Sequence, residues 1–274
     1  MRALFVVLLL SLFAHADAKF PLIKGQALFL EFEKKRLVCL KFQNKPLNFF
    51  PHPKDENKVL AIFSLPYKNP PKSSKITAFY ADKTSENFLI QGLDGNYSRE
   101  KITIPAQKIF PPKAAQKRIQ KERAEANAIY AHHTPKALFE GAFQLPLKSP
   151  ITSAFGVARI FNEKVASFHS GTDFRAHVGT AIRAVNSGIV KIAKERYYAG
   201  LSVVIDHGFG IYSQYYHLSS LKVEAGQRVK KGQIIGASGA SGRVSGPHLH
   251  FGIFAGGRQV DPLDFITKFN ALFQ

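Results

Sequence analysis

The stretch "SGPHLHFGIF", Ser245 to Phe254, sets two histidines one leucine apart. Its apolar flanks, bounded by Gly and Pro, predict a short strand. Residues two apart on a strand point to the same side, so His248 and His250 are expected to project together into one space. A second pattern, "HSGTDF", offers His169 and Asp173. Two imidazoles and one carboxylate suit a borderline-soft divalent metal, Zn2+ above all. Three protein ligands leave a fourth position open, the arrangement that makes water acidic enough to attack near neutral pH. A structural zinc would be closed by four ligands, usually with thiolates, and the chain has a single cysteine, Cys39. A lone histidine is more often a surface or core residue than a ligand. Neither pattern carries much alone, but the two together point to a metal site.

These residues need a scaffold. Residues 20 to 105 contain "ALFLEF", "RLVCLKF", "VLAIFSL", "KITAFY", "NFLIQGL" and "EKITI", separated by turn-rich segments. Such spacing predicts a small β-sandwich or barrel. His52, in the Pro-bounded "FFPHPKD", reads as a surface residue, and Cys39 as a packing residue. The following "PPKAAQKRIQKERAEANAIYA" is rich in helix formers after a Pro start, which predicts a mostly solvated helical connector. The doublet His132 and His133 makes a poor chelate there, because adjacent side chains on a helix do not face each other. From about residue 140 the pattern returns to short strands, "SGIVKIAKE", "LSVVIDHG", "GIYSQYYHLSSL", "GQIIGASG" and "HLHFGIF", before a short terminal helix in "PLDFITKFNALF". The expected architecture is mainly β: an N-terminal β-sandwich-like domain over 19–105, a connector over 106–139 and a second β domain over 140–274. His177 and His207 read as structural or rim residues.

The chain has 274 residues, 45% hydrophobic and 21% charged, with a formal net charge of +19. That composition is globular, and the charge attracts polyanions without choosing among them. The segment "MRALFVVLLLSLFAHADA", residues 1–18, has the basic start, short apolar run and A-x-A spacing of a cleaved export signal. Export disfavours a nucleic-acid partner, and no recognised nucleic-acid motif accompanies the charge. No later stretch is long and apolar enough to span a bilayer as a helix.

"FHSGTDF", "YYHLS", "VKKGQIIGASGASGRVSGPHLHFGI" and "VDPLDF" resemble, in order, the motifs of the LytM/lysostaphin-type zinc peptidases, over roughly residues 146 to 266. Ser241 and Ser245 stand where the family often has threonine, and "GVARIFNEKVASF" is a longer run before His169. The resemblance implies an antiparallel β peptidase domain with an open groove. It implies one zinc held by His169, Asp173 and His250, with His248 and His217 as the catalytic pair beside it. It further implies hydrolysis of peptide cross-links in peptidoglycan, in Gram-negative relatives the D-Ala to diaminopimelate bond, with D,D-carboxypeptidase trimming in some members. A periplasmic monomer whose partner is peptidoglycan is expected, and its basic surface would hold it near the carboxylates of the wall. The N-terminal half is similar to the β-domain preceding the catalytic domain in some Gram-negative shape-determining wall peptidases, including those of helical campylobacterial cells. Family members that have lost ligands act as wall-binding activators of other hydrolases, which is the alternative reading. A mobile N-terminal half that covers the zinc would be a means of control.

Overall fold

The computed structural model describes residues 18–102, 111–161 and 164–274, with only the backbone of 18, 101–102, 159–161 and 164–166. Residues 1–17 of the expected export signal lie outside the described residues, as do 103–110, which include the start of the connector. Among the described residues no helix is long and apolar enough to cross a membrane.

The short apolar runs of the N-terminal half form two sheets. One has five strands in the order Ala18–Ile23, Ser85–Leu93, Ser73–Tyr80, Leu37–Phe42 and Lys45–Leu47. The other has three, Ala27–Glu33, Lys58–Ser64 and Phe49–Pro51. The strand "KVLAIFS" is buried along nearly its whole length. Strand alternation explains why. Val59, Ala61 and Phe63 face Ile76, Phe88 and Ile90 of the five-stranded sheet. Leu60 and Ile62 belong instead to the core of the C-terminal half, with Phe143, Phe251, Phe265 and Phe269. A strand buried on both faces reads as a continuous apolar run. The three-stranded sheet is therefore the middle layer between two cores.

This joint is reinforced by hydrogen bonds and rings. Asp261 N–H donates to the Gly25 carbonyl at 2.7 Å, and Lys268 Nζ to the Ala27 carbonyl at 3.1 Å. Phe50 stacks on Phe209 with centroids 4.4 Å apart. The terminal helix, Pro262–Ala271, starts at Asp261, whose carboxylate accepts from the Leu263 N–H at 3.0 Å. That is the expected cap for a helix opening with proline. Its Phe265 and Phe269 pack against Phe29, with centroids 5.7 and 6.2 Å away.

The connector helix spans Lys113–Ala131 and has one buried residue, Ala126. It lies along the C-terminal half: the Tyr130 ring stacks on Phe254 at 4.4 Å, and Tyr212 Oη donates to the Ile129 carbonyl at 2.9 Å. His52 is a correction to the sequence reading. Its side chain is only 8% exposed. Nδ1 accepts from the Lys54 and Asp55 N–H groups at 3.2 and 3.0 Å, and Nε2 lies 3.8 Å from the buried carboxylate of Glu31.

The C-terminal half is a largely antiparallel ten-stranded sheet whose main path runs Ile151–Ser153, Thr172–Arg175, His248–Ala255, Tyr212–Leu221, Gly200–Asp206, Gly188–Arg196 and Arg228–Val229. The run before His169 folds as a hairpin of Ala158–Phe161 and Lys164–Phe168. This hairpin pairs in parallel with Arg99–Ile102, arriving from the N-terminal half.

Candidate metal centre

Three adjacent strands build the site. Thr172–Arg175 pairs with His248–Ala255 so that Asp173 lies opposite His250 and Arg175 opposite His248. Directly opposed residues in an antiparallel pair share a face. Asp173, Arg175, His248 and His250 therefore occupy one side of the sheet, as the alternation in "HLH" predicts. His169 enters from the loop after the hairpin, buried to 4% exposure.

The donor atoms of His169, Asp173 and His250 converge. His169 Nε2 lies 2.9 Å from Asp173 Oδ1 and 2.9 Å from His250 Nδ1, and His250 Nδ1 lies 2.8 Å from Asp173 Oδ1. These three residues form a buried group able to hold a metal ion. Two imidazole nitrogens and one carboxylate oxygen, with no thiolate, are the donor chemistry of an open zinc site. The His169 ring is fixed from behind, because Nδ1 donates to the Ala154 carbonyl at 2.8 Å and thereby leaves Nε2 as the atom able to bind a metal. Gly171, inside "HSGTDF", is required by close approach: a Cβ there would lie 2.4 Å from the Phe251 carbonyl oxygen and 2.7 Å from His250 Nε2.

Burial opposes ionisation of Asp173, but the hydrogen bonds from His169 and His250 outweigh it and hold the carboxyl well below the usual carboxylate range. Burial also drives the His250 imidazole below its ordinary value despite the carboxylate beside it. Both shifts favour the deprotonated forms that bind metal.

His217 reaches the same face by a different route. Strand alternation alone would put it opposite Tyr216, which pairs with His250 and stacks on its ring at 5.2 Å. The strand carries a register shift here against Leu201–Val203, and His217 has φ of 64°. A bulge with a left-handed residue re-aims the side chain. The conformation is held by the His217 N–H donating to the Ala199 carbonyl at 2.8 Å and Nδ1 donating to the Ser241 carbonyl at 2.9 Å. The His217 and His248 ring centroids are then 5.0 Å apart. His248 Nδ1 donates to the Gly246 carbonyl at 2.9 Å, and its Nε2 is 3.7 Å from Asp173 Oδ2. Both imidazoles thus commit Nδ1–H to a carbonyl, which leaves the lone pair on Nε2. Burial pushes the His217 imidazole down to about 3, with nearby His250 adding to the shift.

The other histidines stand apart. His177 contributes only its carbonyl, to Ser238 Oγ and the Thr180 hydroxyl and N–H. His207 is wholly buried: Nδ1 donates to the Ser187 carbonyl at 2.8 Å and Nε2 meets Ser213 Oγ at 2.7 Å. Burial lowers its pKa from 6.5 to about 4. The unfolded chain therefore binds this proton first as pH falls. Stability is expected to be full above about pH 6.5 and to drop by about 3 kcal/mol by about pH 4. Denaturant unfolding across that range, compared with His207→Asn, should show the variant with the shallower slope; equal slopes would remove His207 as the cause.

One support was missed by the sequence reading. Tyr67, from the N-terminal half, stacks on Phe168 with centroids 4.1 Å apart and donates its hydroxyl to the Gly156 carbonyl. Phe168 immediately precedes His169, and His169 N–H and C=O pair with Val157 and Gly156 at 2.9 and 2.8 Å. The only signal was "SLPYKNPP", a turn with one aromatic residue, indistinguishable from a loop. Tyr67→Ala is expected to weaken zinc binding by about tenfold, the usual scale for residues supporting a ligand. Tyr67→Phe, which keeps the stack, should lose less. Competition with a chromogenic chelator reads both, and equal affinity in Tyr67→Ala and the parent would discard this role.

Comparison with known proteins agrees with the geometry. Residues 167–262 match the model of peptidase family M23. The peptidoglycan DD-endopeptidase ShyA of Vibrio cholerae is 44% identical over 95 residues, covering 35% of this chain and 22% of ShyA. The glycyl-glycine endopeptidase ALE-1 of Staphylococcus capitis is 40% identical over 106 residues, covering 36% of this chain and 29% of ALE-1. The chain thus spans less than a third of the length of these curated relatives. A crystal structure of a protein classed with peptidase M23 from Pseudomonas aeruginosa superposes with TM-score 0.70 at 26% identity, covering 90% of this chain and 96% of that one.

Proposed function

The chain carries a peptidase family M23 domain, and on that premise we propose that it is a zinc-dependent endopeptidase that cuts the D-Ala to diaminopimelate cross-links of peptidoglycan. Trimming of terminal D-Ala, a periplasmic location and a part in wall remodelling and cell shape belong to the same proposal. The observation that carries it is the convergence of His169, Asp173 and His250 beside His217 and His248 on one face. ShyA, 44% identical in this region, is a peptidoglycan DD-endopeptidase, which supports the reading.

His169, Asp173 and His250 would hold the zinc. When bound, zinc supplies a Lewis acid that polarises a carbonyl and makes water a usable nucleophile near neutral pH. The remaining work falls to this chain's own groups. His217, neutral and oriented by the Ser241 carbonyl, presents Nε2 as a proton acceptor toward the attacking water. His248 presents a second acceptor, oriented by Gly246. Either imidazolium formed in this way can then donate to the developing oxyanion or to the departing amine. The non-catalytic activator reading requires a degenerate site, whereas all three donor atoms are in place here.

Mass spectrometry of peptidoglycan fragments, before and after incubation with zinc-loaded protein, tests the proposal. Conversion of cross-linked dimers to monomers is expected. Unchanged fragments from protein with stoichiometric zinc would overturn it, and protein that binds the wall without zinc would be an activator.

A further inference from the structure

The two relatives above are endopeptidases of different bonds, DD in ShyA and glycyl-glycine in ALE-1. Relatives similar to this chain over the same region thus differ in the bond they cleave, which directs attention to residues beside the metal donors. Resting on the proposed endopeptidase reading, we infer that Arg175 is the carboxylate-binding residue of the groove, gripping a free carboxylate on the carbon next to the scissile nitrogen.

Four observations place it there. Arg175 lies opposite His248 in the strand pair and two residues beyond Asp173, so it shares the face of the metal ligands. Two residues of strand advance about 7 Å, the length of about two residues of extended peptide, a gap that a long arginine side chain can bridge toward the reacting centre. Its side chain is exposed while Asp173 and His250 are buried. Its backbone is pinned on both sides: the N–H donates to the Pro150 carbonyl at 2.9 Å, and its carbonyl accepts from Ser149 Oγ at 2.6 Å. Its guanidinium takes part in no ion pair among the described residues. The result is a fixed stem with an exposed cationic fork beside His248. Guanidinium matches carboxylate with two parallel hydrogen bonds.

Chemistry then narrows the substrate. In a D-Ala to diaminopimelate cross-link, the leaving amine sits on a carbon that also carries a free carboxylate. A terminal D-Ala has the same arrangement, so one arginine serves both bonds. An internal glycyl-glycine bond has no carboxylate at that position and gains nothing from Arg175. The residue would thus act as a selector for peptides whose leaving residue is anionic.

The test uses a cross-linked muropeptide with that carboxyl free and the same compound with it amidated. The zinc-loaded full chain is expected to cleave the free acid about tenfold more efficiently, mainly through KM, the scale of a charge-assisted hydrogen bond at a half-open site. Arg175→Ala should bind zinc normally and lose this preference by slowing on the acid alone, and Arg175→Lys should recover part of it. An unchanged acid-to-amide ratio in Arg175→Ala overturns the inference, as does a parent protein that cleaves both equally well. A parent that cleaves neither sinks the endopeptidase reading itself, and the role of Arg175 with it.

Discussion

His250→Ala is expected to empty the metal site, whereas His248→Ala keeps the metal and loses turnover. The two residues are two apart on one strand face, yet their surroundings differ. His250 Nδ1 lies within 2.9 Å of the donor atoms of both Asp173 and His169. Its removal leaves one imidazole and one carboxylate, too few to retain a tetrahedral ion against dilution. His248 Nε2 stands 3.7 Å from Asp173 Oδ2, and its Nδ1 is committed to Gly246. Loss of a proton-transfer group costs about 10²- to 10⁴-fold in rate. Metal analysis beside muropeptide cleavage checks both variants. Equal loss of zinc in two variants that remain folded would refute the division of labour. His217→Ala is expected to follow His248→Ala, because its ring contacts the second histidine and its Nδ1 bonds Ser241, outside the metal set.

A fragment beginning at residue 140 is expected to be poorly folded, not hyperactive. Ala27, Phe50, Leu60 and Ile62 are buried in the same cluster as Phe143, Phe251, Phe265 and Phe269. Deleting the N-terminal half would bare that face of the cluster. Burial of each large apolar side chain contributes about 1.5–3 kcal/mol, so losing Phe50, Leu60 and Ile62 alone costs about 5–9 kcal/mol. That is comparable with the whole stability of a typical domain. The fragment would also lose Tyr67 behind Phe168 and the strand Arg99–Ile102 that pairs with the hairpin before His169. Near-UV circular dichroism, solubility and zinc content of the fragment check this. A soluble, cooperatively folding fragment with full zinc would show that the shared core is dispensable. One more active than the full chain would restore the idea of a covering N-terminal half.

Much of the architecture was legible because its signals are local. "ALFLEF", "KITAFY" and "LSVVIDHG" each carry the apolar spacing of the strand they form, and the terminal helix opens with the Asp–Pro pair that caps it. The short strands Ile151–Ser153 and Ala181–Arg183 went unread, since three residues hold too little periodicity to register. His52 misled for a related reason. Its Pro-bounded loop looks solvated, and only the fold carries Glu31 and Lys58 to its side.

The metal site divides along the same line. By itself the sequence determined the residue types and one relation between them: His248 and His250 share a face because a strand has a period of two, and "HSGTDF" supplies a carboxylate and a third imidazole. Tertiary structure decided the rest. Register brought Asp173 opposite His250, the hairpin delivered His169 from outside the sheet, and a bulge at positive φ turned His217 toward His248 against the alternation of its own strand. It also made the three-stranded sheet a wall common to two cores and set Tyr67 behind the loop of a ligand. The physical reason is range. Side-chain period and capping are fixed by bonds within a few residues, whereas register, bulge placement and shared burial depend on partners tens to hundreds of residues away that only the closed fold brings into contact.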